Sequence, residues 1–188
     1  LVEESVKRMV ARPNWHHYFL SIASVVSLRS TCLRRRYGAI IVKDNTIIST
    51  GYNGAPRGEP NCVDTGCCIR DLKNIPSGER YELCRAVHAE QNAILNAGIV
   101  KTDNATIYIS GFNAKTGAPV QANPCKLCWR MIQNAKIAQI IFYTAKNDIV
   151  IYDVNKKNGI LCELSTDGTL LTKKCDIDGD MEEGIVIP

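Results

Sequence analysis

No stretch of the sequence approaches the ~18 unbroken apolar residues that a membrane-spanning helix needs. The opening residues, Leu1-Val2-Glu3-Glu4, lack the basic start and apolar run of an export signal, so nothing predicts export and the expected location is the cytoplasm. Internal repeats and low-complexity tracts are missing as well. With 45% hydrophobic and 22% charged residues, the composition argues against disorder, collagen-like repeats and coiled coil. A strong charge of one sign is also absent. The net charge is +4, and no dense basic stripe marks a duplex-binding protein, so nucleic acid is not an expected partner, nor is a membrane.

What charge there is falls unevenly. Residues 1–150 carry 19 Lys+Arg against 11 Asp+Glu, a balance of +8, and residues 151–188 carry 4 against 8, a balance of −4. A basic body suits an anionic ligand. The 188 residues are enough for one domain and short of two comfortable ones. Nine cysteines are many for a chain without an export signal, and an odd number cannot all pair internally. In a reducing compartment they read as metal ligands or buried thiols rather than disulfides.

Asn14 reads as the N-cap of a helix over 14–29, with Trp15, Phe19, Ile22 and Val26 as its buried stripe. Two β-branched runs, 37–43 and 46–52, flank Asp44-Asn45, residues that tolerate positive φ, and so form a two-residue hairpin. Residues 53–80 show no period and hold several cysteines, which suggests a functional or stapled loop. A helix over 87–96 stops at Gly98. A buried strand over 106–110, a loop over 111–123, a helix over 125–135 and a strand over 137–143 complete an alternating order, which implies a sheet with helices on its faces. The division is a core at 1–145 and, at 146–188, a β-rich extension with an acidic tail that is not an independent domain. Its strands lie near 149–154, 160–165 and 169–174, around Asn158-Gly159 and Asp167-Gly168 turns. Asp176-Ile177-Asp178-Gly179-Asp180 hints at a calcium loop, but Ile187 stands where the bidentate Glu is required, so the tail reads as a plain acidic one.

His88-Ala89-Glu90 opens one predicted helix and Pro124-Cys125-Lys126-Leu127-Cys128 opens the next. A Cys-x2-Cys pair at a helix N-terminus puts two thiols on one side, where the helix's positive end favours thiolates. One imidazole and two thiolates make three ligands, and tetrahedral zinc then keeps its fourth position open for water. Glu90, two residues after His88, points to a different side of the helix and is free to move protons. A structural zinc would want a fourth protein ligand, and Glu90 is the residue that could serve. The order His-x-Glu followed by Pro-Cys-x-x-Cys is, as a recognised pattern, the signature of zinc-dependent nucleobase deaminases.

With these motifs the sequence resembles the deoxycytidylate (dCMP) deaminase family of the cytidine deaminase superfamily, in particular its bacterial branch with competence-operon proteins. The resemblance is carried by Arg12-Pro13-Asn14-Trp15, Arg29-Ser30-Thr31-Cys32, Gly38-Ala39-Ile40-Ile41-Val42, Gly51-Tyr52-Asn53-Gly54-Ala55-Pro56, His88-Ala89-Glu90-Gln91-Asn92-Ala93 and the Pro124–Cys128 segment. It implies a three-layer α/β/α cytidine-deaminase-like sandwich with a mixed central sheet, here with a C-terminal β extension, usually as a homo-oligomer. The implied reaction is zinc-dependent hydrolysis of dCMP to dUMP and ammonia, with Glu90 relaying the protons. Alternatives are deamination of another cytosine nucleotide or of a base in RNA, or a catalytically silent zinc protein used for assembly.

The resemblance makes Asn53 the expected nucleotide contact, with Tyr52, Gly54 and Ala89 around it. Many relatives are regulated by dCTP and dTTP, with Mg2+, and the Gly51–Gly54 segment could belong to such a regulatory site, to the substrate site, or to both. Tyr143 is a candidate for stacking on the base. Some relatives carry a second, structural zinc, and Cys32, Cys62, Cys67 and Cys84 resemble its ligands, with Cys68 as a substitute. The plainer reading is a set of buried thiols. An arginine fork suits a 5′-phosphate, and the Arg34-Arg35-Arg36 run and Arg57 are weighed for it, with Arg34, Arg36 and Arg57 as the candidates, although for any one of the four an ordinary solvated charge is the plainer reading. Tyr108 and Trp129 read as core, His16 and His17 as surface or interface residues, and Cys162 and Cys175 as packing or surface thiols.

Overall fold

The computed structural model describes residues 12–76, 78–164 and 170–178. In chain order it contains α1 (Trp15–Ser27), β1 (Arg35–Lys43), β2 (Thr46–Tyr52), the short turns of helix α2 (Cys62–Thr65) and α3 (Ile69–Leu72), α4 (Ala89–Ala97), α5 (Ile99–Thr102), β3 (Thr106–Asn113), α6 (Lys126–Asn134), β4 (Gln139–Tyr143), β5 (Ile149–Asp153), β6 (Asn158–Leu164) and β7 (Leu170–Asp178). The strands form one mixed sheet in the order β2-β1-β3-β4-β5-β6-β7. Every pairing is antiparallel except β3 with β4, which α6 joins as a crossover. β5 to β7 continue the same sheet beyond β4.

Helices cover both faces of the sheet, and β1 shows why. Five consecutive residues of β1, Gly38 to Val42, are buried, as in a strand with no solvent face. Ile40 and Val42 pack with Phe19, Leu20 and Ala23 of α1. Ala39 and Ile41 pack on the other side with Ala89 and Ala93 of α4 and with Trp129 and Ile132 of α6. Trp129 and Tyr108 are core residues, as expected. Among the described residues no helix is long and apolar enough to cross a membrane.

The hairpin forms as the dipeptide predicts, with Asp44 and Asn45 both at positive φ. Three other expectations need correction. The buried face of α1 is Phe19, Leu20, Ala23 and Ser27 rather than a stripe starting at Trp15, which is 46% exposed. Gly38 decides this rotation: a Cβ there would lie 2.1 Å from the Ala23 carbonyl oxygen, so the helix backs onto the bare glycine through its small residues. β3 runs on through Gly111 to Asn113, three residues into the expected loop, because Gly111 accepts the Tyr37 ring where a side chain would stand. Finally, Asn158 and Gly159 lie in β6 and not in a turn; the turn is 154–157, with Lys157 at positive φ and the Asp153 carboxylate accepting from the backbone N–H groups of Asn155 and Lys156. Gly159 suits the strand because a Cβ would meet Tyr152 at 3.0 Å. The Asp167-Gly168 turn and the tail after Asp178 lie outside the described residues.

Gly51 of β2 fixes the helix that carries the chemistry. A Cβ on Gly51 would stand 2.3 Å from both the Ala89 carbonyl oxygen and the Ala93 nitrogen, which are backbone atoms that cannot swing aside. Gly51→Ala should therefore cost about 3 kcal/mol of stability through overpacking. Urea unfolding checks this: a variant as stable as the parent would mean that α4 is not clamped to β2.

Candidate active site

The first turns of α4 and α6 meet at one end of the sheet. His88 is the N-cap of α4, and its backbone N–H donates to the Gln91 side-chain oxygen at 2.9 Å, fixing the entry to the helix. Cys125 is the N-cap of α6, and Cys128 lies buried one turn later. His88 Nδ1 is 3.4 Å from Cys125 Sγ and 3.3 Å from Cys128 Sγ. Zinc bonds of ~2.3 Å to sulfur and ~2.0 Å to nitrogen, set tetrahedrally, require an S···N edge of about 3.5 Å. The donor set fits a zinc ion. Among the described residues it is the one group of three or more such donors whose ligand atoms all lie within 4.8 Å of each other.

The electrostatics match that role. The Cys125 thiol is pulled down to about 4, first by its hydrogen bond from Cys128, against the opposing effect of burial, and further by His88. It is therefore a thiolate at neutral pH, the form that binds metal. Cys128 shifts up as the donor in the same hydrogen bond, and burial adds to the shift. Burial draws His88 down, but its hydrogen bond to Cys125 and the charges of Glu90 and Cys125 leave it above the usual imidazole value.

Glu90 is only 6% exposed and lies outside the three-donor cluster, although it lines the same cavity. Burial raises its carboxyl above the usual range, with the His88 charge opposing. Ala89, between the two, also lines the cavity. The cavity encloses about 110 Å³ and adjoins a wider groove of about 500 Å³, with which it shares Arg35, Tyr37, Tyr81, Asn123 and Cys125.

The predicted residues converge only in part. Asn53 is buried and lines the cavity, but most of its amide is spent on the protein. Oδ1 accepts from Ser30 Oγ at 2.6 Å and from the Tyr37 N–H at 2.7 Å, and Nδ2 donates to the Arg35 carbonyl at 2.9 Å. One N–H of Nδ2 is left for a ligand. Tyr52 and Gly54 do not line the cavity; Gly54 instead forms a two-way backbone bridge with Val87, which sets the approach to His88. Tyr143 packs on the α1 face, beside His17, because alternation along β4 sends Phe142 to the zinc side. It does not reach the cavity.

Cys32, Cys62 and Cys84 line the cavity together with Cys68. Cys67 is exposed, with its thiol turned to Thr65 Oγ1 at 3.9 Å. Burial raises the Cys62 thiol, and Cys32, Cys68 and Cys84 raise it further. Cys162 is buried, as a packing thiol would be. Of the phosphate candidates, Arg34 lines the cavity but is tied to Asp71 at 3.1 Å and to the Ile75 carbonyl. Arg36 borders a separate hollow with Cys67 and Lys115, and exposed Arg57 donates to Asn96.

Arg35, from the Arg34–Arg36 run weighed for a phosphate, lines the cavity, whereas Tyr37, Arg70, Tyr81, Ala86 and Asn123 line it without a functional signal in the sequence. Tyr81 sets its ring edge-on to His88, with centroids 4.9 Å apart. Arg70 lies in the aperiodic segment 53–80 and Tyr81 directly after it, where no period could have marked them.

The family described as "cytidine and deoxycytidylate deaminase zinc-binding region" matches residues 13–144. This chain belongs to that family. Its sheet and two-sided helix layers are the cytidine deaminase-like α/β/α sandwich. The chain is 36% identical over 137 residues to the deoxycytidylate deaminase of Schizosaccharomyces pombe, a match that covers 72% of this chain and 39% of that protein. It is 35% identical over 138 residues to the deoxycytidylate deaminase of Mycobacterium phage D29, covering 71% and 97%. With ComE operon protein 2 of Bacillus subtilis the identity is 35% over 133 residues, covering 70% and 60%. The chain thus spans less than half of the fission-yeast relative and nearly all of the phage one.

Proposed function

We propose that the chain is a zinc-dependent hydrolase that converts dCMP and water to dUMP and ammonia. The observation that carries this is the His88, Cys125 and Cys128 donor set, with buried Glu90 in the same cavity but outside the set. Two relatives at 35–36% identity are named deoxycytidylate deaminases. Zinc held there supplies a Lewis acid that makes water acidic enough to be a nucleophile near neutral pH.

The chain's own residues do the rest. Glu90 takes a proton from the attacking water and passes it to N3 of the cytosine ring as the new C4–O bond forms. It then takes the remaining proton from the new C4 hydroxyl and delivers it to the exocyclic amine, the C4–N bond breaks, and ammonia leaves a C4 carbonyl. Burial suits this duty because a raised carboxyl pKa lets one group both accept and donate. Ala89 forms part of the cavity wall against the base, and the remaining Asn53 N–H is available to the sugar.

A second, structural zinc on Cys32, Cys62, Cys84 and, in place of the exposed Cys67, Cys68 belongs to this reading; the four line one cavity, but among the described residues no three of their sulfur atoms lie within 4.8 Å of one another, so the segment would have to close on the ion. Four thiolates close a tetrahedron and would staple a segment with little core of its own. Homo-oligomeric assembly and control by dCTP and dTTP with Mg2+ accompany the family resemblance, and the free thiols suit the cytoplasm.

The test is ammonia release from dCMP, dCTP, cytidine and tRNA by the metal-replete protein, with zinc per chain measured alongside. We expect dCMP to be the best substrate and zinc to be two per chain. One zinc per chain removes the staple. No turnover of any of the four contradicts the enzyme reading and favours an assembly role.

A further inference from the structure

The cavity of about 110 Å³ is small for a whole nucleotide, since pockets for ligands of that size run to roughly 300 Å³ or more. With the base beside His88 and Glu90, the sugar lies at the opening, where the cavity meets the wider groove. Tyr37 and Tyr81 both stand at that opening, because each borders the cavity and the groove. Tyr81 is set edge-on to His88, with the Arg70 guanidinium 4.9 Å from its ring centre. Tyr37 is held by its neighbours on two strands. It pairs with Gly111 across β1 and β3, and a Cβ on Gly111 would come within 2.3 Å of Tyr37 Cε1 and 2.5 Å of its Cδ1, so the ring fills the space that the missing side chain leaves. Val120 Cγ2 would stand 3.1 Å from the same Cβ, and the Val120 N–H donates to the Gly111 carbonyl at 3.0 Å. The ring is thus wedged between β3 and the segment that returns from it. The Tyr37 hydroxyl reaches the Gln121 carbonyl at 3.5 Å, a long contact.

The backbone of Tyr37 is bound to the residue expected at the sugar. Its N–H donates to Asn53 Oδ1 at 2.7 Å, and its carbonyl accepts from the Asn53 backbone N–H at 3.3 Å. The ring and the one remaining Asn53 side-chain N–H therefore belong to the same wall. The connectivity of the sugar adds the rest. C1′ carries the base, C3′ carries the hydroxyl that suits the Asn53 amide, and C2′ lies between them, so C2′ runs along the wall that Tyr37 forms. We infer that the Tyr37 ring selects against a 2′-hydroxyl, so that the site takes deoxyribonucleotides in preference to ribonucleotides. This deepens the nucleotide-deaminase reading and rests on it. Burial, and after it the charge of Glu90, raise the Tyr37 hydroxyl above the usual phenol value, so it stays neutral. Its O–H is directed at Gln121, which leaves ring carbons rather than polar atoms to meet the sugar. A hydroxyl added at C2′ would press on those carbons and give up water without gaining a partner. A wall of this kind rejects an extra hydroxyl by about 100-fold.

The experiment compares dCMP with CMP, which differ only at C2′, on the zinc-loaded parent and on Tyr37→Val and Tyr37→Phe. The parent should favour dCMP by about 100-fold in kcat/KM. Tyr37→Val removes the ring and should lower that ratio by about 10-fold or more, with kcat/KM for CMP rising above the parent's, a gain that a merely structural residue would not give. Tyr37→Phe keeps the ring and should hold the ratio within about 3-fold of the parent's. Metal analysis should find equal zinc per chain in all three. If Tyr37→Val does not fold, Tyr37→Leu, which fills more of the vacated space, carries the test. Parallel losses on both substrates, or a ratio that falls as far in Tyr37→Phe as in Tyr37→Val, would overturn the proposal. A parent that turns over both nucleotides equally would overturn it too and leave the deaminase reading standing, whereas a parent that turns over neither contradicts that reading itself.

Discussion

Glu90→Gln should lower kcat for dCMP by about 1,000-fold while zinc content and stability stay at parental levels. The amide is nearly isosteric with the carboxylate and fits the same buried position, but it cannot take a proton from water. A positioned general acid–base group contributes roughly 10²–10⁴-fold, and Glu90 serves two transfers in one cycle, which places the loss in the upper part of that range. The carboxylate is outside the donor cluster, so the ion should remain. Stopped-assay ammonia release and metal analysis on the same sample read both quantities. Loss of zinc together with activity would mean that Glu90 is a ligand and the site structural.

Cys128→Ser should reduce activity by about 1,000-fold or more, in proportion to the zinc it loses. A hydroxyl is a far poorer zinc ligand than a thiolate, and losing the Lewis acid removes several kcal/mol of transition-state stabilisation. Cys128 is fully buried, on α6 between Cys125 and the core residue Trp129. The variant should therefore also unfold at a lower temperature than the parent, since the ion joins α4 to α6. Added zinc should restore little. Full activity with stoichiometric zinc would remove Cys128 from the ligand set.

The donor set was legible because each half sits at a helix start with its own local marker. His88 and Cys125 are both N-caps, and the positions of Glu90 and Cys128 follow from helical geometry alone. The hairpin was legible for the same reason, since Asp44 and Asn45 state their backbone preference locally. Where an outcome depended on a distant partner, sequence reasoning failed. Gly38 turns α1 away from the stripe that periodicity suggests, and the Tyr37 ring lets β3 continue through Gly111. Tyr52 and Gly54 sit beside Asn53 in the chain, yet only Asn53 faces the cavity. Arg70 was illegible because residues 53–80 have no period from which to infer a face, and Tyr81, just after them, begins no periodic run either. Cys67 and Cys68 show the same limit: adjacent thiols look alike in sequence, and only the fold turns one inward and leaves the other exposed.

The central claim is that His88, Cys125 and Cys128 hold zinc with one position left open beside an uncoordinated Glu90. Anomalous diffraction at the zinc edge from crystals of the metal-replete protein tests it most directly. The account predicts a peak within bonding distance of His88 Nδ1, Cys125 Sγ and Cys128 Sγ, with the Glu90 oxygens well beyond the ~2.0–2.2 Å of a zinc–carboxylate bond. A peak with Glu90 as its fourth ligand, or no peak among these three side chains, would contradict it.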